Sequence, residues 1–340
     1  VPREFAERCF KQVQGFSEYG FPESHAASFA VLVYVSSWLK RHFPAEFCAA
    51  LLNSQPMGFY PPAQLVRDVK EHGVCVLPVD VNHSDWETTI ENTSVRLGMQ
   101  LVNGVGRPDA QRLRDAVVER GPFRSMLALW RASGVKVRAM RRLSAADAFG
   151  SMGLSRQQAL WQARLLRDEP LPLFDDRPPP AGPAPEAVGE DGLDRLPPVS
   201  PLHQVVLDYH ATGLSLKAHP VSFVRDRLRA LGAVPCADLN DPARTPEGEL
   251  VTVAGLVLVR QRPGTANDVT FITLEDESGI ANLIVWLRVY HKFRRAAGSR
   301  LLVATGRVQR QGEVVHVTVS WMGGLDQAVE DLNTSSRDFH

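Results

Sequence analysis

The run Leu101-Val102-Asn103-Gly104-Val105-Gly106-Arg107-Pro108-Asp109 places two glycines two positions apart. Its chemistry is that of the backbone. Gly104 and Gly106 permit φ values and close approaches that a Cβ would block. The helix predicted from about Asp109 points its unpaired N-terminal N–H groups toward them. Main-chain amides and a helix N-terminus together can hold a phosphate oxygen. Val105 packs inward and fixes the loop. This hydrophobe–Gly–hydrophobe–Gly pattern is that of a helix-hairpin-helix contact, which grips phosphate without reading bases; a plain tight turn is the alternative. Asn103, Arg107 and Arg112 are candidate contacts beside it. A weaker second hairpin spans residues 149–160, with Gly150, Gly153 and Arg156 as candidates and a packing turn as the alternative.

Charge supports the polyanion reading. Residues 96–167 carry 14 basic side chains against 4 acidic, a net of +10, although the whole chain is neutral. A concentrated basic block is the footprint of a nucleic-acid surface; a solvated arginine-rich surface is the bland alternative.

Further along, the hydrophobic period changes to two from residue 250, and five alternating strands are predicted with one helical insert, Leu287–Gly298. A helix between the third and fourth strands of a five-stranded barrel is the OB-fold arrangement. Phe271, Trp286 and Trp321 fall on strands, and Tyr290 and Phe293 on the insert. Arg260, Arg262, Arg307 and Arg310 fall near strand ends. Aromatics with arginines suit stacked single-stranded bases, but some of these aromatics must be core.

The elements that position these residues divide the chain. Residues 1–92 are mostly helical; residues 93–168 form the helix-hairpin-helix region. Residues 169–200 are a Pro-rich flexible linker, 201–248 a helical connector, 249–325 the OB-fold and 326–340 a tail. The fold class is therefore multidomain α+β. Within residues 1–92, Ser24 either caps a helix running to about His42 or, with His25, meets nucleotide or phosphate. Lys40 and Arg41 are cationic candidates that could equally complement that helix's C-terminus. In the linker, Leu171, Leu173 and Phe174 are a candidate partner peptide, with a packed linker strand as the alternative.

Several chemistries find no support. No CxxC pair occurs among the four cysteines, no metal cluster is predicted, and no nucleotide-binding P-loop appears. The acidic run Glu275-Asp276-Glu277 reads as a solvated turn. No apolar stretch of about 18 residues predicts a membrane span, and lone cysteines suit a reducing cytosol, hence a cytoplasmic location. The chain starts without Met inside a helical pattern, which predicts a C-terminal fragment.

The run "GFSEYGFPESHAASFAVLVYVSSWLKRHFPAEFCAALLNSQPMGFY" resembles the fingers region of the C-family bacterial DNA polymerases, the polymerase III alpha type. "VDVNHSDW", "RQRPGTA", "TLEDESG" and the final "SRDFH" are similar to the error-prone branch of that family. The resemblance covers nearly the whole chain. It implies fingers, helix-hairpin-helix, linker and OB-fold, in that order. It also implies a Mg²⁺-dependent DNA-directed polymerase as parent, with catalytic aspartates in a palm that has no counterpart here, so this chain alone is expected to be inactive and carries no catalytic residue. It implies duplex and single-stranded template DNA as partners, with accessory mutagenesis proteins. Replicative members carry a clamp-binding peptide where Leu171, Leu173 and Phe174 lie, but Pro170 stands where Gln is expected, so sliding-clamp contact would be indirect. A non-enzymatic adapter that binds proteins through the same modules is the alternative reading.

Overall fold

A computed structural model describes residues 4–5, 7–8, 10, 23–56, 61–168, 199–263, 268–312, 314–325 and 337–339. They fall into two units, residues 1–77 with 89–95, and residues 78–88 with 96–340.

The first unit includes the helices α1 (Glu23–His42), α2 (Pro44–Asn53) and α3 (Pro62–Glu71). Proline opens both α2 and α3, where its missing N–H costs nothing. Cys48, Leu52, Leu65, Val66 and Val69 are buried between them. The Cys48 thiol donates to the Leu65 carbonyl, and burial, with Asp68 nearby, pushes its pKa up to about 12. It is an inert core group. Lys40 Nζ pairs with Asp68 on α3 at 2.7 Å, so this cationic candidate ties α1 to α3. Strands β1 (Val76–Leu77), β2 (Thr89–Glu91) and β3 (Ser94–Arg96) form a small sheet in the order β1–β3–β2.

The second unit begins earlier than the boundary expected at residue 92. Asp80 is buried and accepts from the amide of Asn82, and from the amide and hydroxyl of Ser151. Asn82 Nδ2 donates to the Phe123 carbonyl, and the Phe123 amide donates back to Asn82 Oδ1. These two side chains bind residues 78–88 to the helical region that follows. That region holds α4 (Arg107–Arg120), α5 (Met126–Ser133), α6 (Val137–Ala145) and α7 (Arg156–Leu165). Leu113, Met126, Leu129, Met140, Leu143 and Phe149 form its core.

The connector is α8 (Pro201–Thr212) and α9 (Arg225–Ala230), with the short strand β4 (Ala233–Val234). One side of α8 faces the helical region. Arg156 of α7 is 1% exposed and donates to the Asp208 carboxylate and to the Gln204 carbonyl. Lys217 joins Asp208 to Asp147. The other side lies on the barrel, where Val206, Val221 and Leu228 pack with Ala254, Leu256, Leu301 and Val303. The Pro-rich linker expected at residues 169–200 lies outside the described residues up to residue 198. The helical connector is packed against both the helical region and the barrel, and its buried guanidinium contact requires the Asp208 carboxylate.

The barrel strands are β5 (Leu250–Gln261), β6 (Val269–Glu275), β7 (Ile280–Trp286), β8 (Leu301–Gln311) and β9 (Val314–Gly324). They pair as β5–β6–β7–β9–β8 and close through β8–β5, with β7 and β9 parallel. Helices α10 (Leu287–Lys292) and α11 (Arg294–Ala297) stand between the third and fourth strands. This is a closed five-stranded barrel of the OB-fold arrangement. Strand β10 (Arg337–Phe339) runs parallel to β5 at residues 259–261.

The acidic turn after β6 is not the solvated hairpin expected. Asp276 is buried against Arg225 of the connector, at 2.6 Å, and accepts from the amides of Cys236, Ser278 and Gly279. Burial alone would raise its pKa, but these donors and the Ser278 hydroxyl outweigh it and hold the carboxyl below the usual 3.8. A depressed folded-state pKa contributes stability that is present above 3.8 and lost as pH falls through the folded value. In acid titrations read by amide exchange in the barrel, Asp276→Asn is therefore expected to remove part of the destabilisation below pH 3.8. An unchanged acid profile would place the effect elsewhere.

Candidate nucleic-acid interface

At the first hairpin, Gly104 has φ +83°, a conformation L side chains avoid. Gly106 is the N-cap of α4 with φ −100°, so its role is different. The helix starts at Arg107, two residues earlier than expected. Val105 is buried, as its place between the glycines predicted. Among the described residues no side chain caps α4, whose Asp109 and Ala110 amides turn back to the Gly106 carbonyl. Among the described residues, the amides of Gly104, Gly106 and Arg107 have no backbone acceptor, and Pro108 has no N–H to offer. Gly104, Gly106, Arg107 and Arg112 are all exposed there. Among the described residues Arg107 and Arg112 make only long ion pairs, to Glu87 at 3.7 Å and Asp109 at 4.0 Å. Such pairs hold little energy.

Asn103 has another task. Its amide donates to the Ala211 carbonyl and its Nδ2 to the His210 carbonyl. Both acceptors lie in the last turn of α8, where carbonyls lack helical partners. Asn103 is thus a cap for the connector helix rather than a free phosphate donor.

The second hairpin repeats the first. Gly153-Leu154-Ser155-Arg156-Gln157-Gln158-Ala159 aligns with Gly104-Val105-Gly106-Arg107-Pro108-Asp109-Ala110, and Gly153 also has positive φ, +73°. Ala110 and Ala159 are both buried at the matching helix position. The chemistry nevertheless diverges. Ser155 and Gln158 form a reciprocal capping box that uses the amides of Ser155 and Gln158. Gly150 belongs to a turn whose Ser151 amide is taken by Asp80. Arg156 is buried on Asp208. Gly150, Gly153 and Arg156 are therefore a packing turn and not a phosphate contact. The shared Gly-x-x-Arg-x-x-Ala spacing was legible in the sequence and marks both hairpins; the difference lies in the cap residue, glycine against serine.

On the barrel, Phe271, Ile284, Thr318 and Arg307 follow one another across β6, β7, β9 and β8 in register. Thr273, Asn282 and His316 make the next row on the same outer face, because side chains alternate along a strand. Trp286 follows Asn282 and Ile284 along the same face of β7, opposite Val269, and is 51% exposed. Arg262 is exposed at the start of the β5–β6 connection, and Arg307 is exposed with one nitrogen on the Gly248 carbonyl. Two expected arginines fail. Arg260 is buried, with its guanidinium on the carbonyls of Ala297 and Ser299. Arg310 is committed to the carbonyls of Leu239 and Thr245. Each satisfies connector or insert backbone that would otherwise be buried without donors. Tyr290 and Phe293 pack on the barrel core, and Trp321 meets Phe293 edge to face at 6.2 Å.

In the first unit, the His25 ring lies tilted against Phe29 with centroids 4.5 Å apart, and Arg41 is exposed in the last turn of α1. Ser24 lies within α1, which begins one residue earlier, and its side chain is outside the described residues. Leu171, Leu173 and Phe174 also lie outside them. The barrel's acidic run does not fit a Mg²⁺ site, since Asp276 and Glu277 are both spent on Arg225. Among the described residues, no helix is long and apolar enough to cross a membrane.

A helix-hairpin-helix motif family matches residues 73–159. Over 99% of its length the chain is 47% identical to error-prone DNA polymerase 1 of Rhizobium meliloti (strain 1021), and it covers 32% of that protein. It is 47% identical, with the same coverages, to the error-prone DNA polymerase of Sinorhizobium medicae (strain WSM419). The chain thus spans about a third of the length of the curated relatives it matches. A solved asparaginyl-tRNA synthetase from Pyrococcus horikoshii is similar over 23% of this chain and 20% of that one, at 24% identity and a TM-score of 0.20.

Proposed function

We propose that this chain is the nucleic-acid-holding part of an error-prone DNA polymerase, the enzyme its relatives are named for. The first hairpin holds the sugar-phosphate backbone of duplex DNA. The outer barrel face holds single-stranded template, with Phe271 and Trp286 as stacking platforms and Arg262 and Arg307 beside them. Templated nucleotidyl transfer with Mg²⁺, including synthesis across lesions in damage-induced mutagenesis, belongs to the whole enzyme. Accessory mutagenesis proteins would join it, with any contact to the sliding clamp made through them, in the bacterial cytoplasm.

The observation that carries this reading is the uncapped start of α4. Among the described residues, three amides without backbone acceptors, one of them that of the positive-φ Gly104, lie within a block of net charge +10. Backbone recognition of this kind is independent of sequence and steeply salt-dependent. Gly104→Val puts a branched side chain where φ is +83° and displaces the amides. Duplex affinity in a salt titration is expected to fall about tenfold or more, a loss of ~1.4 kcal/mol, with the far-ultraviolet dichroism retained. Trp286→Ala should spare the duplex and weaken single strands by ~1–3 kcal/mol. Unchanged affinity for both variants would remove the proposal and favour an adapter that binds proteins.

A further inference from the structure

We propose that an arginine-lined depression beside the first hairpin is a phosphate-binding site, filled by the same DNA backbone that passes Gly104; this extends the reading above and rests on it. Arg138, Arg141 and Arg142 occupy positions i, i+3 and i+4 of α6, so all three leave one face of the helix. With Arg167 they line an open depression of about 550 Å³ whose apolar floor includes Val137 and Leu166. Among the described residues, Asp168 is the one carboxylate lining it. That carboxylate accepts the Val137 amide at 2.7 Å and caps α6. Among the described residues none of the four arginines forms an ion pair, and Arg141 has only a long contact to the Ala163 carbonyl, at 3.5 Å.

Four like charges in one depression repel each other, and this protein has equal numbers of acidic and basic residues from which partners could have been drawn. An anion relieves that repulsion. The planar guanidinium fork suits phosphate oxygens, and four forks offer more donors than the oxygens of one small anion take up, whereas successive phosphates can occupy them all. Arg142 joins this site to the hairpin, since its Nε lies 3.1 Å from where a Cβ on Gly104 would stand. Phosphates on a strand held by the hairpin amides therefore lead toward the depression. A free polyphosphate, such as that of a nucleoside triphosphate, presents the same chemistry.

The test uses the whole chain with Arg138→Gln, Arg141→Gln and Arg167→Gln combined, leaving Arg142 and the hairpin intact. All three side chains are exposed, so the fold should persist, as amide exchange would verify. The slope of log affinity for duplex against log salt is expected to shrink by about 2–3, at ~0.9 per lost phosphate contact. An unchanged slope, with Gly104→Val still weakening binding, overturns the depression and leaves the hairpin. A reduced slope with Gly104→Val inert upholds the depression and removes the hairpin. Calorimetry with inorganic tripolyphosphate separates the sources. If the variant loses tripolyphosphate binding and keeps its duplex slope, the backbone is overturned as the occupant.

Discussion

Asp208→Ala is expected to free the connector from the hairpin region, at a cost of ~3–5 kcal/mol, the range for removing one partner of a buried ion pair. Asp208 accepts from Arg156 on one side and from the Ser215 hydroxyl on the other, with Lys217 at 3.3 Å. Without it, Arg156 keeps the Gln204 carbonyl and a long contact to Asp147 at 3.7 Å. A guanidinium that is 1% exposed cannot recover the loss from water. Amide exchange along residues 201–212 reads this directly, and protection there should fall a hundredfold or more. Pairing the change with Arg156→Met removes the orphaned charge, so the double variant should be more stable than Asp208→Ala alone. If the double variant is the weaker, the pair is not the link.

Gly306→Val should be still more damaging to the barrel. A Cβ at Gly306 would stand 2.3 Å from the Thr318 carbonyl oxygen and 2.8 Å from a Val317 methyl. Backbone has to move to admit it, and the register shift between Thr305 and Gly306 places this close approach where β8 bends against β9. We expect a loss of about 4 kcal/mol or more, in the range reserved for steric disruption of a core. Cooperative denaturation of the barrel should disappear. Gly312→Ala is the control: φ there is +62°, but nothing lies within 4 Å, so only the backbone strain of ~1 kcal/mol is expected. Equal effects at the two glycines would show that crowding does not decide the matter.

The two hairpins show how a small sequence difference changes a task. Their turns share spacing, positive φ at the leading glycine and a buried alanine one turn into the helix. Glycine at the first N-cap leaves amides outward; serine at the second turns its own side chain onto them. The first arginine is in solvent, and the second reaches Asp208, 52 residues on. In the same way α8 caps its last turn with Asn103, a residue 107 positions from His210. The interface is therefore held by groups far apart in the chain.

The sequence by itself determined the order of modules, the OB-type barrel, the helix between its third and fourth strands and the position of the leading hairpin. Those features rest on local signals: period-two alternation, glycine where φ is positive and proline at helix starts. It could not decide which arginines are available to an anion. Arg156, Arg260 and Arg310 have the same side chain as Arg107, Arg142 and Arg307. The tertiary structure alone brings Asp208 and backbone carbonyls to the first three. A guanidinium's reach depends on what surrounds it after folding, and those surroundings come from residues tens of positions away. For the same reason Asp276 read as a surface acid until Arg225 and three amides closed around it.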